Sequence, residues 1–91
     1  MIFRCTAQFI RAFDKLVPER QKLVINVLGV FKLSPRLPSA DAWYLKSSRG
    51  VWALPVGQYG YITYHFETGE GDDNVCVFRH VGVKPPALPA K

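Results

Sequence analysis

Only two cysteines occur in the 91 residues, so at most one bridge could staple the chain. Cys5 and Cys76 each lie inside an apolar run, which predicts two reduced, buried thiols. With His65 and His80 they have the chemistry of a zinc site but none of its local spacing, so no metal is expected. No stretch approaches the ~18 consecutive apolar residues of a membrane span. The first residues lack the basic-then-apolar pattern of a secretory signal, and a cytoplasmic protein without membrane association is expected. A Gly-rich phosphate loop and a serine triad are missing, as is any carboxylate pair outside one acidic loop. No cofactor is expected. Lys and Arg are absent between Arg49 and Arg79.

Hydrophobic residues make up 48% of the chain and charged residues 21%, too apolar a balance for disorder. The length allows one domain with a small core. Twelve basic residues face seven acidic ones, and Glu67, Glu70, Asp72 and Asp73 fall in one short run. Outside that run only Asp14, Glu19 and Asp41 oppose the twelve. A basic body with an acidic loop favours nucleic acid, an anionic surface or an acidic protein as partner.

Ile2 to Cys5 reads as a short strand, and Thr6 as the N-cap of a helix whose apolar stripe is Phe9, Ile10, Phe13, Leu16 and Val17. Pro18 and Glu19 suit the first turn of a second helix. Its buried stripe is predicted as Leu23 or Val24, Val27, Leu28 and Phe31, giving a helical hairpin. Ser34 to Ser39, with two prolines, ends it. Trp43–Leu45, Val51–Val56, Tyr59–Phe66 and Val75–Val81 then read as antiparallel strands, with an acidic hairpin loop from Thr68 to Asn74. The expected organisation is an α+β domain over residues 1–83 and a Pro-rich extended tail over 84–91.

Alternation along Tyr59 to Phe66 puts Ile62, Tyr64 and Phe66 on one face and Tyr59, Tyr61, Thr63 and His65 on the other. If the helices cover the first set, the second offers aromatic rings and a histidine to single-stranded bases. His80 can transfer a proton near neutral pH, while Arg79 and Lys84 can stabilise a phosphate gaining charge. Lys46 and Arg49 are further candidate phosphate contacts.

The order of elements, together with particular segments, resembles the RelE/ParE superfamily of bacterial toxins. The segments are Phe9-Ile10-Arg11-Ala12-Phe13-Asp14-Lys15-Leu16, Ser34-Pro35, Leu45 through Gly50, Val51-Trp52-Ala53-Leu54-Pro55-Val56-Gly57, Tyr61-Ile62-Thr63-Tyr64 and Val77-Phe78-Arg79-His80-Val81-Gly82. The resemblance implies an N-terminal strand and helical hairpin packed on a small twisted antiparallel sheet. It implies a type II toxin neutralised by a cognate antitoxin. The implied activity is metal-independent, ribosome-dependent mRNA cleavage with the RNA 2′-hydroxyl as nucleophile, or DNA gyrase inhibition in the ParE branch. The Arg79-His80-Val81-Gly82 ending is similar to the nuclease branch. Pro55 and, depending on register, Gly60 or Tyr61 stand where such toxins commonly have arginines. A non-catalytic, toxin-like binding module is therefore the second reading.

Overall fold

The computed structural model describes residues 2–33, 42–45, 50–57, 60–68 and 74–82. Seven elements follow in chain order: β1 (Ile2–Cys5), α1 (Ala7–Asp14), α2 (Pro18–Leu33), β2 (Trp43–Tyr44), β3 (Trp52–Val56), β4 (Gly60–Thr68) and β5 (Asn74–Gly82). The fold is α+β, as the sequence predicts. The tail over 84–91 and the hairpin loop within 69–73 lie outside the described residues.

Thr6 caps α1: its backbone is extended and its Oγ1 accepts a hydrogen bond from the Phe9 N–H at 3.0 Å. Phe9 is buried, with Ala12, Phe13 and Leu16 packed beside it, but Ile10 and Val17 turn outward. The Gln21 amide donates to the Phe13 carbonyl at 3.0 Å, satisfying a group at the end of α1 from the first turns of α2. Along α2 the inward residues are Val24 and Phe31, with Val27 and Leu28 partly covered. Leu23 remains 46% exposed, so Val24 takes the inward position of the two candidates.

The sheet has five strands in the order β1-β5-β4-β3-β2. The last four form the expected antiparallel meander. β1 adds a parallel edge to β5, with Ile2 opposite Val75 and Cys5 opposite Phe78. That outer position corrects the expectation for Cys5, which is exposed; Cys76, in the second strand of the sheet, is buried, and both thiols are free. Pro55 is tolerated in β3 because, among the described residues, β2 pairs only with Trp52 and Ala53 and the later part of β3 has no strand on that side.

One face of the sheet meets the helices in an aromatic core. Phe78 is its hub, with ring centroids 6.1 Å from Phe3, 6.0 Å from Phe9 and 5.8 Å from Phe31. Phe31 also meets the edge of Tyr64 at 4.8 Å. Phe66 lies on this face as predicted, but beyond the helices' cover, and is 40% exposed. No helix of the described residues is long and apolar enough to cross a membrane.

Candidate nucleic-acid site on the open sheet face

With Ile62 and Tyr64 in the core, alternation sends Tyr61, Thr63 and His65 of β4 to the face away from the helices. Across the ladder Tyr61 pairs with Gly82, Thr63 with His80 and His65 with Val77. The next pair is decisive. Thr63 lies opposite His80 but Tyr64 lies opposite Phe78, so Arg79 is an extra residue in β5. Strict alternation would send Arg79 and His80 to opposite faces, whereas this bulge brings both to the open one. The Arg79 Nη1 reaches within 3.3 Å of His65 Nδ1.

The bulge is tied down from outside the meander. Thr6 Oγ1, besides capping α1, donates to the Arg79 carbonyl at 2.7 Å, and the Thr6 N–H donates to the Phe78 carbonyl at 3.0 Å. Thr63 Oγ1 makes a longer contact, 3.5 Å, with the His80 carbonyl. These bonds occupy backbone oxygens and leave the Arg79 and His80 side chains free of backbone duties.

His80 is half-buried, with its ring 6.0 Å from that of Tyr61. Its Nδ1 is buried and has no hydrogen-bond partner among the described residues. Such a group is costly to leave unmade and marks a place for an incoming proton donor or acceptor. Tyr61 lies over Gly82: a Cβ on Gly82 would fall 2.7 Å from the Tyr61 hydroxyl oxygen and 2.8 Å from the ring. Burial raises the Tyr61 hydroxyl above its ordinary pKa of 10.0, so it stays a neutral donor around pH 7. Gly60 pairs with Val56, whereas Tyr61 pairs with Pro55, so of the two register alternatives Tyr61 is the one on the open face.

Toward β3 this face closes over. Ala53, opposite Thr63, is fully buried in a small cluster with Leu45 and Val51. Among the described residues the more accessible part of this face is the Tyr61–His80–Arg79–His65 stretch of β4 and β5, where Arg79 is exposed and the other three are half-buried around buried Thr63 and Val77. Beside it, β1 contributes Arg4, exposed and opposite Val77, on the face away from Phe3. Sequence reading missed Arg4: its alternation with Phe3 was visible, but nothing local says that β1 lies beside β5.

Of the candidate residues, the structure thus brings together His80, Arg79, Tyr61 and His65. Lys84, Lys46, Arg49 and Tyr59 lie outside the described residues. No cluster of three or more potential metal-ligating side chains occurs among the described residues.

No protein-family model matches the sequence, and no curated protein matches it significantly. Solved structures do match in shape. The YoeB/ParE toxin from Agrobacterium tumefaciens superposes with a TM-score of 0.72 over 93% of this chain and 100% of its own, at 12% identity. An archaeal RelE–RelB complex from Pyrococcus horikoshii matches at 0.69 over 94% and 97%, with 12% identity. The RelB–RelE antitoxin–toxin complex from Methanococcus jannaschii matches at 0.64 over 91% and 89%, with 18% identity. These superpositions show that the chain has the RelE/ParE toxin fold.

Proposed function

We propose that the chain is the toxin of a type II toxin–antitoxin pair, acting as a metal-independent, ribosome-dependent mRNA endonuclease through its open sheet face. The observation that carries this reading is the β5 bulge, which sets a proton-transferring side chain and a cation side by side, Tyr61 beside the former. In the reaction the RNA 2′-hydroxyl attacks the adjacent phosphorus, a P–O2′ bond forms and the P–O5′ bond breaks. The products are a 2′,3′-cyclic phosphate and a 5′-hydroxyl. In this reading His80 takes or returns a proton through its imidazole, Arg79 offsets the charge gained by the phosphoryl oxygens, and Tyr61 offers a ring and a donor to the RNA.

An antitoxin is the expected partner, and two of the matched structures are antitoxin–toxin complexes by description. Exposed apolar side chains on and between the two helices, Ile10, Val17, Ile25, Val30 and Leu33, support this as contacts that a partner could cover. One observation favours the second reading, a toxin-like binding module or gyrase inhibitor: Pro55 lies opposite Tyr61, and neither these two nor Gly60 brings a cation to the strand positions where the resemblance implies arginines. Induced alone, the chain should arrest growth and translation, and co-expression of the adjacent gene product should relieve this. Growth without arrest contradicts the toxin reading. Arrest with continuing translation selects gyrase.

A further inference from the structure

We infer that Glu67 and His65 form a positioning pair that holds the Arg79 guanidinium, without neutralising it, as the phosphate-gripping cation of the open face. The inference rests on the RNA site proposed above and assigns His65 a role through Arg79 rather than as a stacking ring.

A guanidinium has only donors, so His65 Nδ1, 3.3 Å from Arg79 Nη1, is an acceptor. The imidazole is then neutral with its proton on Nε2, the nitrogen 3.6 Å from Glu67 Oε2. That separation is too long for a hydrogen bond, yet the carboxylate charge favours a proton on the nearer nitrogen. Protonating Nδ1 instead would set two donors against each other. The order Glu67, His65, Arg79 thus fixes the tautomer from one side and the guanidinium from the other.

The chemical consequence lies in what Arg79 does not touch. Among the described residues no carboxylate pairs with it; Glu67 instead lies 3.6 Å from the far nitrogen of His65. A carboxylate laid directly on Arg79 would hold it but cancel its field. A neutral imidazole holds it and leaves its charge and its remaining N–H donors for a phosphate. The bulge makes such support necessary, since Arg79 has no cross-strand partner of its own.

The test is the affinity of the full chain for a fluorescein-labelled single-stranded oligoribonucleotide, with Arg79→Ala, His65→Phe, His65→Asn and the double variant Arg79→Ala/His65→Phe. Asn keeps an acceptor oxygen near the place of Nδ1. His65→Phe should weaken binding about three- to tenfold, His65→Asn should restore most of it, and His65→Phe should change nothing once Arg79 is Ala. A loss on His65→Phe that persists in the Arg79→Ala background overturns the inference and makes His65 a direct RNA contact. So does unchanged affinity in His65→Phe while Arg79→Ala weakens binding, and in both cases the RNA site itself stands. Unchanged affinity in Arg79→Ala overturns the RNA site. Imidazole ¹⁵N shifts give a readout without RNA: His65 should be the Nε2–H tautomer at neutral pH, and a proton on Nδ1 overturns the inference.

Discussion

Tyr61 lies so close over Gly82 that a side chain cannot be added at Gly82 without moving the tyrosine. Gly82→Ala forces the Tyr61 ring away, and we expect a stability loss of about 1–3 kcal/mol, the scale of overpacking. In a Tyr61→Ala background the same change should be close to neutral in thermal melting. Equal losses in both backgrounds would place the strain elsewhere. The buried acids Cys76 and Tyr64 make the second prediction. Burial, with the Cys5 thiol adding to it and Lys32 opposing, pushes the Cys76 thiol to about 12. Burial and the neighbouring Cys76 push Tyr64 to about 12. Both folded values lie above those of the unfolded chain, so the unfolded chain ionises first. Stability from these groups is full below about pH 9 and is lost as pH rises toward 12. Melting curves should show that decline, and Cys76→Ala should flatten it; an unchanged decline in Cys76→Ala would contradict the assignment. At this scale the residue types of the site were legible in the sequence. That Arg79 and His80 share a face was not, because strict alternation separates them and the bulge arises only from pairing with β4.

Thr6 shows how one side chain couples elements distant in sequence. It caps α1 through Phe9 N–H and anchors β5 through the carbonyls of Phe78 and Arg79. Thr6→Ala should cost about 1–2 kcal/mol in denaturant unfolding from the lost cap. It should also broaden the Arg79 and His80 amide resonances, while Thr6→Ser restores both; restored stability with amides still perturbed would uncouple the cap from the bulge. The cap itself was readable from Thr6 before an apolar stripe, and the restart of helix at Pro18 was equally plain. The link to Arg79 was not readable, since it needs β1 to run parallel beside β5, a contact between opposite ends of the sequence. The helical stripes were partly misread for a related reason. Ile10 and Val17 continue the apolar pattern yet point outward, and periodicity alone cannot distinguish an apolar residue that enters the core from one left at the surface.

At the scale of the whole molecule, the proposed RNA reading makes binding depend on the excess of basic over acidic residues. Binding of single-stranded RNA should weaken with salt, the log–log slope changing by about 0.7 for each phosphate contact. Arg79→Ala should flatten the slope by about one contact; an unaltered slope would remove Arg79 from the phosphate site. The α+β order was legible because a helical stretch early in the chain gives way to a run of extended segments after it, and the face of β4 followed from its alternation. The central claim, catalysis by a RelE-type site that lacks strand cations, is tested most directly by mRNA cleavage on programmed ribosomes, with the folding of each variant checked by melting. We expect weak cleavage by the wild type, a roughly 10²-fold or greater loss in His80→Ala, and a gain in Tyr61→Arg, which restores a cation beside His80. Undetectable wild-type cleavage with no gain in Tyr61→Arg, or cleavage insensitive to His80→Ala, would contradict it.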